Sequence, residues 1–386
     1  MIRNISGKKA VITACIIWAA VALYIFSYQV RTDHKKTVTQ VYRTASHNLF
    51  AEKELYEGGI HGFLYLPQAG FIFMPFMHLP QTPGELLWRL LCIGTFAYSV
   101  RRLAVLAGKE RADEFFLLMT LIVIPISFSA MRNGQMTLPM TAAMIMGAVA
   151  LAETRFGSAA FWLCLGIAMK PLVLVMAMLV FALYPSSRLR LIIGLVTLFA
   201  IPLLFFSSEY VVDTYSVFMQ KMLTVSNPGA YKNYSDLHGM LGALGIAVDE
   251  RLMMAVRALS AFGALVLAWT ALKSERPGPA AILIFVISVT YLMLFNPKTE
   301  NNTYAAFAPA FAVFTAWFFL TAKSKYMGWL FVVMTIGFAL HHEAAKYLTP
   351  GREVWISPLL ASVFAIYLVK SIISGPEPWE ELRIER

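Results

Sequence analysis

Short polar stretches interrupt an otherwise apolar chain, and they carry the residue types that could do chemistry. In the first 70 residues these are Thr32-Asp33-His34, then Val41 to Ser46 with Tyr42, then Glu54-Leu55-Tyr56, then Tyr65-Leu66-Pro67. Asn133-Gly134-Gln135, Lys170-Pro171, Lys232-Asn233-Tyr234-Ser235 and a run from Asn296 to Asn302 with Lys298 and Glu300 follow. Cations and amides at the rim of a bilayer can hold a polar, anionic group, and a carboxylate among them can accept a proton. Taken singly, tyrosines and lysines belong at membrane interfaces in any case. Gathered on one side of a membrane, they point to a binding site.

The elements that must position these stretches are membrane helices. Of 386 residues, 59% are hydrophobic and 14% charged, and the mean hydropathy is +0.65. Soluble domains carry roughly 25% charged residues, so a soluble enzyme, a nucleic-acid binder and a disordered protein are all excluded. The net charge of +10 reads as basic residues crowding cytoplasmic loops, not as a nucleic-acid surface. Cys15, Cys92 and Cys164 lie in apolar runs without metal-ligand spacing and behave as small hydrophobes. Residues 10–30 follow Lys8 and Lys9 and lack a small-residue cleavage site, so they read as an uncleaved first span.

A bilayer crossing needs about 20 apolar residues. Candidate spans are 10–30, 64–79, 85–107, 114–131, 136–153, 157–184, 190–206, 252–272, 279–296, 303–322, 326–341 and 355–374. The run 157–184 is broken by Lys170-Pro171 and reads as two short helices meeting near one membrane face, because proline cannot continue the ladder and a mid-membrane charge is costly. Lys8 and Lys9, Arg101 to Arg111, Arg188 and Arg190, Lys273 and Arg276, and Lys323 and Lys325 then mark cytoplasmic loops, with both termini inside. One place resists. If 64–79 and 85–107 both span, the basic loop 101–112 falls outside; otherwise 64–79 is re-entrant. The reading is one transmembrane domain over 1–374, with long outward loops at 31–63 and 207–250 and a flexible cytoplasmic tail at 375–386. Arg89 and Arg257 sit one to two turns inside their spans, where snorkelling and substrate contact explain them equally.

The order of the polar stretches resembles the family 87 glycosyltransferases, membrane enzymes of the GT-C type. Val41-Tyr42-Arg43-Thr44-Ala45 and Leu55-Tyr56 match that family's Val-Tyr-x-x-Ala and Leu-Tyr, and Tyr65-Leu66-Pro67 with Leu79-Pro80 match its Tyr-x-Pro and Leu-Pro. Pro125 with Gly134-Gln135, Lys170-Pro171, Asn233-Tyr234-Ser235 and Asn296-Pro297 continue the series, over roughly residues 10–340. The resemblance implies an all-α, GT-C-like bundle of about 11–13 transmembrane helices. It also implies transfer of a hexose, commonly mannose, from a polyprenyl-phosphate carrier to a lipid-linked or cell-envelope acceptor on the outer face, with membrane lipids as the other partners. A prokaryotic inner membrane is the expected location.

Such a transfer needs a carboxylate to take the acceptor proton and cations or donors to hold the departing phosphate. The family's commoner form has Asp-Phe before Val-Tyr, which would place Asp at position 38; here that residue is Val38. Asp33 is the nearest upstream candidate for the base, with Glu54 and Glu300 as alternatives. The expected substrate contacts are Tyr42, Tyr56, Tyr65, Asn133, Gln135, Lys170, Asn233, Ser235, Lys298 and Asn302. No cofactor is implied beyond the divalent cation that some GT-C enzymes use, and His238 and His341-His342 lack the spacing of a metal site. A transporter for lipid-linked saccharides would show mid-membrane ionisable residues and internal repeats. A catalytically silent scaffold of the same fold would tolerate loss of Asp33 and Lys170.

Overall fold

The computed structural model describes residues 7–32, 36–57, 62–225, 234–322 and 325–374. Among them the chain is helical and has no strand. In order the helices are α1 (Gly7–Arg31), α2 (Thr39–Phe50), α3 (Gln68–Met77), α4 (Gln81–Gly108), α5 (Ala112–Asn133), α6 (Thr137–Ala152), α7 (Phe156–Met169) and α8 (Leu174–Leu183). They continue with α9 (Pro185–Ala200), α10 (Ser208–Val225), α11 (Leu237–Ala243), α12 (Glu250–Ser274), α13 (Pro277–Phe295), α14 (Ala308–Leu320), α15 (Tyr326–Leu348) and α16 (Ile356–Ser374). Among the described residues six stretches are long and apolar enough to cross a membrane: α1, the run Gln81–Asn133 that joins α4 to α5, α9 with its following turn, α12, α13 and α16. Helices α6, α7 and α14 are apolar but shorter. The fold is that of an all-α polytopic membrane protein.

Side-chain contacts fix the direction of each pass. Gly7 packs against Asp113, Trp18 Nε1 donates to Thr120 Oγ1 at 3.1 Å, and Gln29 Nε2 donates to the Arg132 carbonyl at 3.0 Å. Helices α1 and α5 are therefore parallel. Helix α4 runs the other way: Arg101 pairs with Asp113 at 2.5 Å at one end, and Arg89 Nε donates to the Arg132 carbonyl at 3.0 Å at the other. Two parallel helices with one antiparallel crossing between them leave no room for another crossing at α3.

Helix α3 has 10 residues, with Pro75 inside it, and extends about 15 Å, half of a ~30 Å hydrocarbon core. Gln68 Nε2 donates to the Leu198 carbonyl at the far end of α9, and Arg43 Nη1 caps the other end of α3 at the Met77 and Leu79 carbonyls, 2.6 and 2.9 Å. The segment 64–79 therefore dips in and returns. The basic loop 101–112 then falls on the same side as the other cationic turns. Arg102 reaches Glu153 at 3.0 Å, Arg190 packs on Gly157, Leu106 on Gly278, and Arg111 Nη1 donates to the Leu320 carbonyl at 2.5 Å.

Burial separates the interior from the lipid face. Nearly every residue of α6, α13 and α14 is buried, as expected of helices that are apolar all round. Helices α9 and α12 instead expose Leu189, Val196, Leu259 and Phe262, the apolar face expected of helices that meet lipid. Between α14, α15 and α16, Phe311 stacks on Phe331 at 4.8 Å, and Phe307 and Phe314 each meet Phe364 edge-on at 5.1 Å. The predicted loop 31–63 contains α2, and 207–250 contains α10 and α11. The tail 375–386 lies outside the described residues.

Candidate functional site

The site begins where helices end at the face opposite the basic loops. Helix α5 stops at Gly134, whose φ of 68° places it in the left-handed region, and a Cβ there would stand 3.0 Å from Thr39. Glycine satisfies both demands. The turn is held by Trp88 Nε1, which donates to the Gly134 carbonyl at 2.9 Å, and by the Val38 amide, which donates to the Asn133 carbonyl at 3.1 Å. Asn133 Nδ2 donates to the Lys36 carbonyl at 2.8 Å, and its Oδ1 accepts from Asn302 Nδ2 at 3.2 Å. Gln135 is buried just beyond, its carbonyl accepting from the Leu138 amide at 3.2 Å.

A second wall is built from tyrosines. The Met136 amide donates to Tyr42 Oη at 3.2 Å, Tyr42 Oη and Tyr65 Oη lie 3.2 Å apart, and Tyr56 Oη donates to the Tyr65 carbonyl at 3.1 Å. Tyr42 and Tyr56 are buried, and Tyr42 is boxed by Phe73 and Trp88. Tyr65 is half-buried. Burial raises its phenol to about 12, the bond to Tyr42 lowers it, and the Glu300 charge raises it.

Proline dictates the geometry of Lys170. Pro171 disfavours the helical region for the residue before it, so Lys170 ends α7 in an extended conformation, φ −155° and ψ 123°. Its ammonium donates to Thr137 Oγ1 at 3.2 Å and feels the carboxylate of Glu300.

The loop after α13 supplies the remaining groups. Thr299 Oγ1 donates to the Leu292 and Asn296 carbonyls at 3.2 and 3.1 Å, and the Thr299 carbonyl accepts the Ser235 amide at 2.7 Å. Ser235 Oγ also bonds the Asn301 side chain, and Tyr304 Oη donates to the Ser235 carbonyl at 3.0 Å. With Thr299 fully buried, Glu300 is left exposed and Lys298 half-exposed. The Lys298 ammonium lies 5.9 Å from the Tyr234 ring centre. Burial pushes this ammonium below the usual lysine range, Glu300 opposes that shift, and the charges of Lys170 and Lys221 add to it. The charge of Glu300 thus favours the ammonium forms of Lys170 and Lys298 and the neutral phenols of Tyr65 and Tyr234.

Residues 63–297 match glycosyltransferase family 87, a stretch longer than half the chain. The protein belongs to that family. It is a membrane glycosyltransferase. No curated protein and no solved structure matches the chain.

Of the residues expected to serve this family 87 enzyme, Lys170, Lys298, Glu300, Tyr65, Asn133, Asn302 and Ser235 converge through the contacts above. Asp33 and Asn233 lie outside the described residues. Glu54 is exposed in the segment after α2, where its carbonyl accepts from Asn48 at 2.7 Å. Arg89 does not snorkel. It is fully buried, paired with Glu85 at 3.1 Å and donating through Nη2 to Thr37 at 2.8 Å. Arg257 pairs with Glu250 at 2.8 Å.

Sequence reasoning missed Lys221 on α10, whose ammonium donates to the Tyr56 carbonyl at 2.7 Å. It also missed Asp236, buried beside the site as the cap of α11, where Oδ1 accepts the Gly239 amide at 2.7 Å. The motif series ends at Ser235, one residue short of it. Among the described residues, no three His, Cys, Asp or Glu side chains converge as a metal site. His341 bonds the Phe338 carbonyl at 2.7 Å and His342 faces Glu353 at 3.1 Å.

Proposed function

We propose that this enzyme moves a hexose, with mannose the first candidate, from a polyprenyl-phosphate carrier to a lipid-linked or cell-envelope acceptor. The observation that carries the reading is that the loop after α13 puts the exposed carboxylate of Glu300 where its charge acts on both Lys170 and Lys298, the latter also within the field of Lys221. The acceptor hydroxyl oxygen attacks the anomeric carbon, Glu300 takes the hydroxyl proton, and the bond from that carbon to the phosphate oxygen breaks. The electron pair leaves with polyprenyl phosphate, whose charge the three lysines hold. Tyr65, Tyr234, Asn133, Asn302 and Ser235 frame the sugar, while Tyr42 and Tyr56 brace the wall behind it.

The reading of sidedness rests on charge. Basic turns collect at the face opposite the site, and the positive-inside tendency supports an outward site with both termini in the cytoplasm. A prokaryotic inner membrane fits this arrangement, and residues 1–374 form one membrane domain in the same reading.

The test uses purified protein in lipid with a labelled polyprenyl-phosphate hexose, following release of polyprenyl phosphate from wild type, Glu300→Gln and Asp33→Asn. Loss of a general base lowers turnover by about 10²–10⁴-fold, expected for Glu300→Gln. A loss of that size in Asp33→Asn, with Glu300→Gln near wild type, moves the base to Asp33. No release by wild type with any common hexose refutes the donor class.

A further inference from the structure

We propose that Asp236 and Arg257 are positioning residues for the transfer: the charge of Asp236, facing Arg257, holds Ser235 and through it the loop that carries Glu300. The inference rests on the reading of Glu300 as the base and adds what keeps that carboxylate in place.

Ser235 is the joint. Its amide donates to the Thr299 carbonyl at 2.7 Å, its hydroxyl bonds the Asn301 side chain, and its carbonyl accepts from Tyr304 Oη at 3.0 Å. Glu300 itself is exposed, yet the residues on either side of it are both tied to Ser235. A shift of Ser235 therefore carries Glu300 with it, and a misplacement of about 1 Å at a reacting group costs roughly 10²-fold in rate.

Asp236 follows directly and is more than the cap of α11 requires. One carboxylate oxygen, Oδ1, accepts the Gly239 amide at 2.7 Å, a task that asparagine or serine performs as well. The other, Oδ2, is buried without a hydrogen-bond donor and stands 3.9 Å from Arg257 Nη2. Arg257 Nε is likewise buried without an acceptor. Two unsatisfied groups of opposite charge thus face each other between α11 and α12, where burial strengthens their attraction. Arg257 is anchored on its other side, since Nη1 donates to Glu250 Oε1 at 2.8 Å and its carbonyl accepts from Tyr291 Oη at 3.3 Å. Contacts therefore run from α12 through Arg257, Asp236 and Ser235 to the Glu300 loop.

The groups around Asp236 come from every packed element. Helix α11 gives His238, whose Nδ1 lies 3.4 Å from Glu250 Oε2; α12 gives Arg257 and Glu250; and the loop after α13 gives Tyr304, whose phenol feels the Asp236 charge. Helix α13 brings Tyr291, and α16, which also packs on α11, carries no titratable side chain from Ile356 to Ala365. Arg352 meets α11 at its other end, on the Ala243 carbonyl. Burial raises the Asp236 carboxyl to about 6, against the Gly239 amide, Arg257 and His238. The charge that holds Arg257 is therefore gained between roughly pH 5 and 7.

The experiment compares wild type, Asp236→Asn, Arg257→Gln and the double variant in lipid nanodiscs. It follows release of polyprenyl phosphate at saturating labelled donor and, without donor, amide exchange of peptides covering 234–240 and 299–305. Asp236→Asn keeps the cap and removes the charge. Its kcat should match wild type near pH 5, where both side chains are neutral, and fall to about a tenth of it near pH 7. Exchange in both peptides should be faster than in wild type near pH 7 and equal near pH 5, each pair being compared at one pH. Arg257→Gln should lose as much turnover at neutral pH, and the double variant no more than either single one. A kcat ratio that is flat with pH overturns the proposal, as do unchanged exchange near pH 7 and losses that add in the double variant. If the exchange difference follows pH while Glu300→Gln keeps full turnover, Asp236 still positions the loop and the choice of Glu300 as base fails.

Discussion

Asp236 lets a stability measurement probe the scaffold behind the site. The residue is 1% exposed and its Oδ2 has no hydrogen-bond donor. Arg257, the nearest cation, stands 3.9 Å away and is already paired with Glu250 at 2.8 Å. Burial therefore wins, and it raises the Asp236 carboxyl to about 6, against the lowering effects of the Gly239 amide and Arg257. The ordinary value is 3.8, so the folded state binds a proton more tightly than the unfolded chain does. Stability is then highest below the unfolded pKa and declines as pH rises between about 4 and 6, by up to about 3 kcal/mol at 1.36 kcal/mol per pH unit. Asp236→Asn keeps an oxygen for the Gly239 amide and removes the titration. The difference between variant and wild type, followed by intrinsic tryptophan fluorescence on heating in detergent, should grow in the variant's favour from pH 4 to 7, since shared titrations cancel. A variant that is less stable at neutral pH by more than about 1 kcal/mol, with the slope unchanged, would refute the reasoning and show a charged Asp236 stabilised by Arg257.

Other expectations follow from the same contacts. Arg89→Leu strands the buried Glu85 carboxylate and should destabilise the protein by about 3–5 kcal/mol, whereas Leu at both positions should recover most of that loss in the same melts. Lys298→Ala should raise the donor KM. In wild type the alkaline rise of that KM should come below the usual lysine range, because the half-buried Lys298 loses its proton early; a profile that is flat through that region contradicts its role. Val38→Asp in the Glu300→Gln background should restore turnover by about tenfold, because the Val38 amide is tied to Asn133 and Asn133 to Asn302, two residues from Glu300. No recovery would separate position 38 from the reacting atoms.

Some of this was legible in the chain and some was not. Apolar runs gave the helical class directly, because a bilayer forces every backbone group to bond within its own segment. Lys170-Pro171 announced its break, since proline constrains the residue before it whatever surrounds it. The spacing of Glu85 and Arg89, four apart on one helix turn, was a readable sign of an ion pair that weighing snorkelling against substrate contact overlooked. The 64–79 run stayed open between the two readings because hydropathy cannot distinguish a segment that crosses from one that dips and returns; contacts from Arg43 and Gln68 bear on it only in the fold. Lys221 was beyond reach: it lies 165 positions from Tyr56, and only packing brings the two together. Asp236 was readable as a helix cap but not as a buried acid, which depends on Arg257 and Tyr304 arriving from distant helices.

The short helix α3 sets a condition on how the protein must be made. It emerges after α1 as a hydrophobic stretch, and during synthesis the insertion machinery must decline to pass it through the bilayer. Were it inserted as a crossing, each helix after it would enter with reversed orientation, dragging the Arg101 to Arg111 turn to the wrong side. Ten residues and an internal Pro75 make that error unfavourable, and the dense cations that follow penalise it again. Helix α3 thus sets the parity of the whole chain, and lengthening it by a few leucines should yield inverted, degradation-prone protein before any effect on chemistry could be seen.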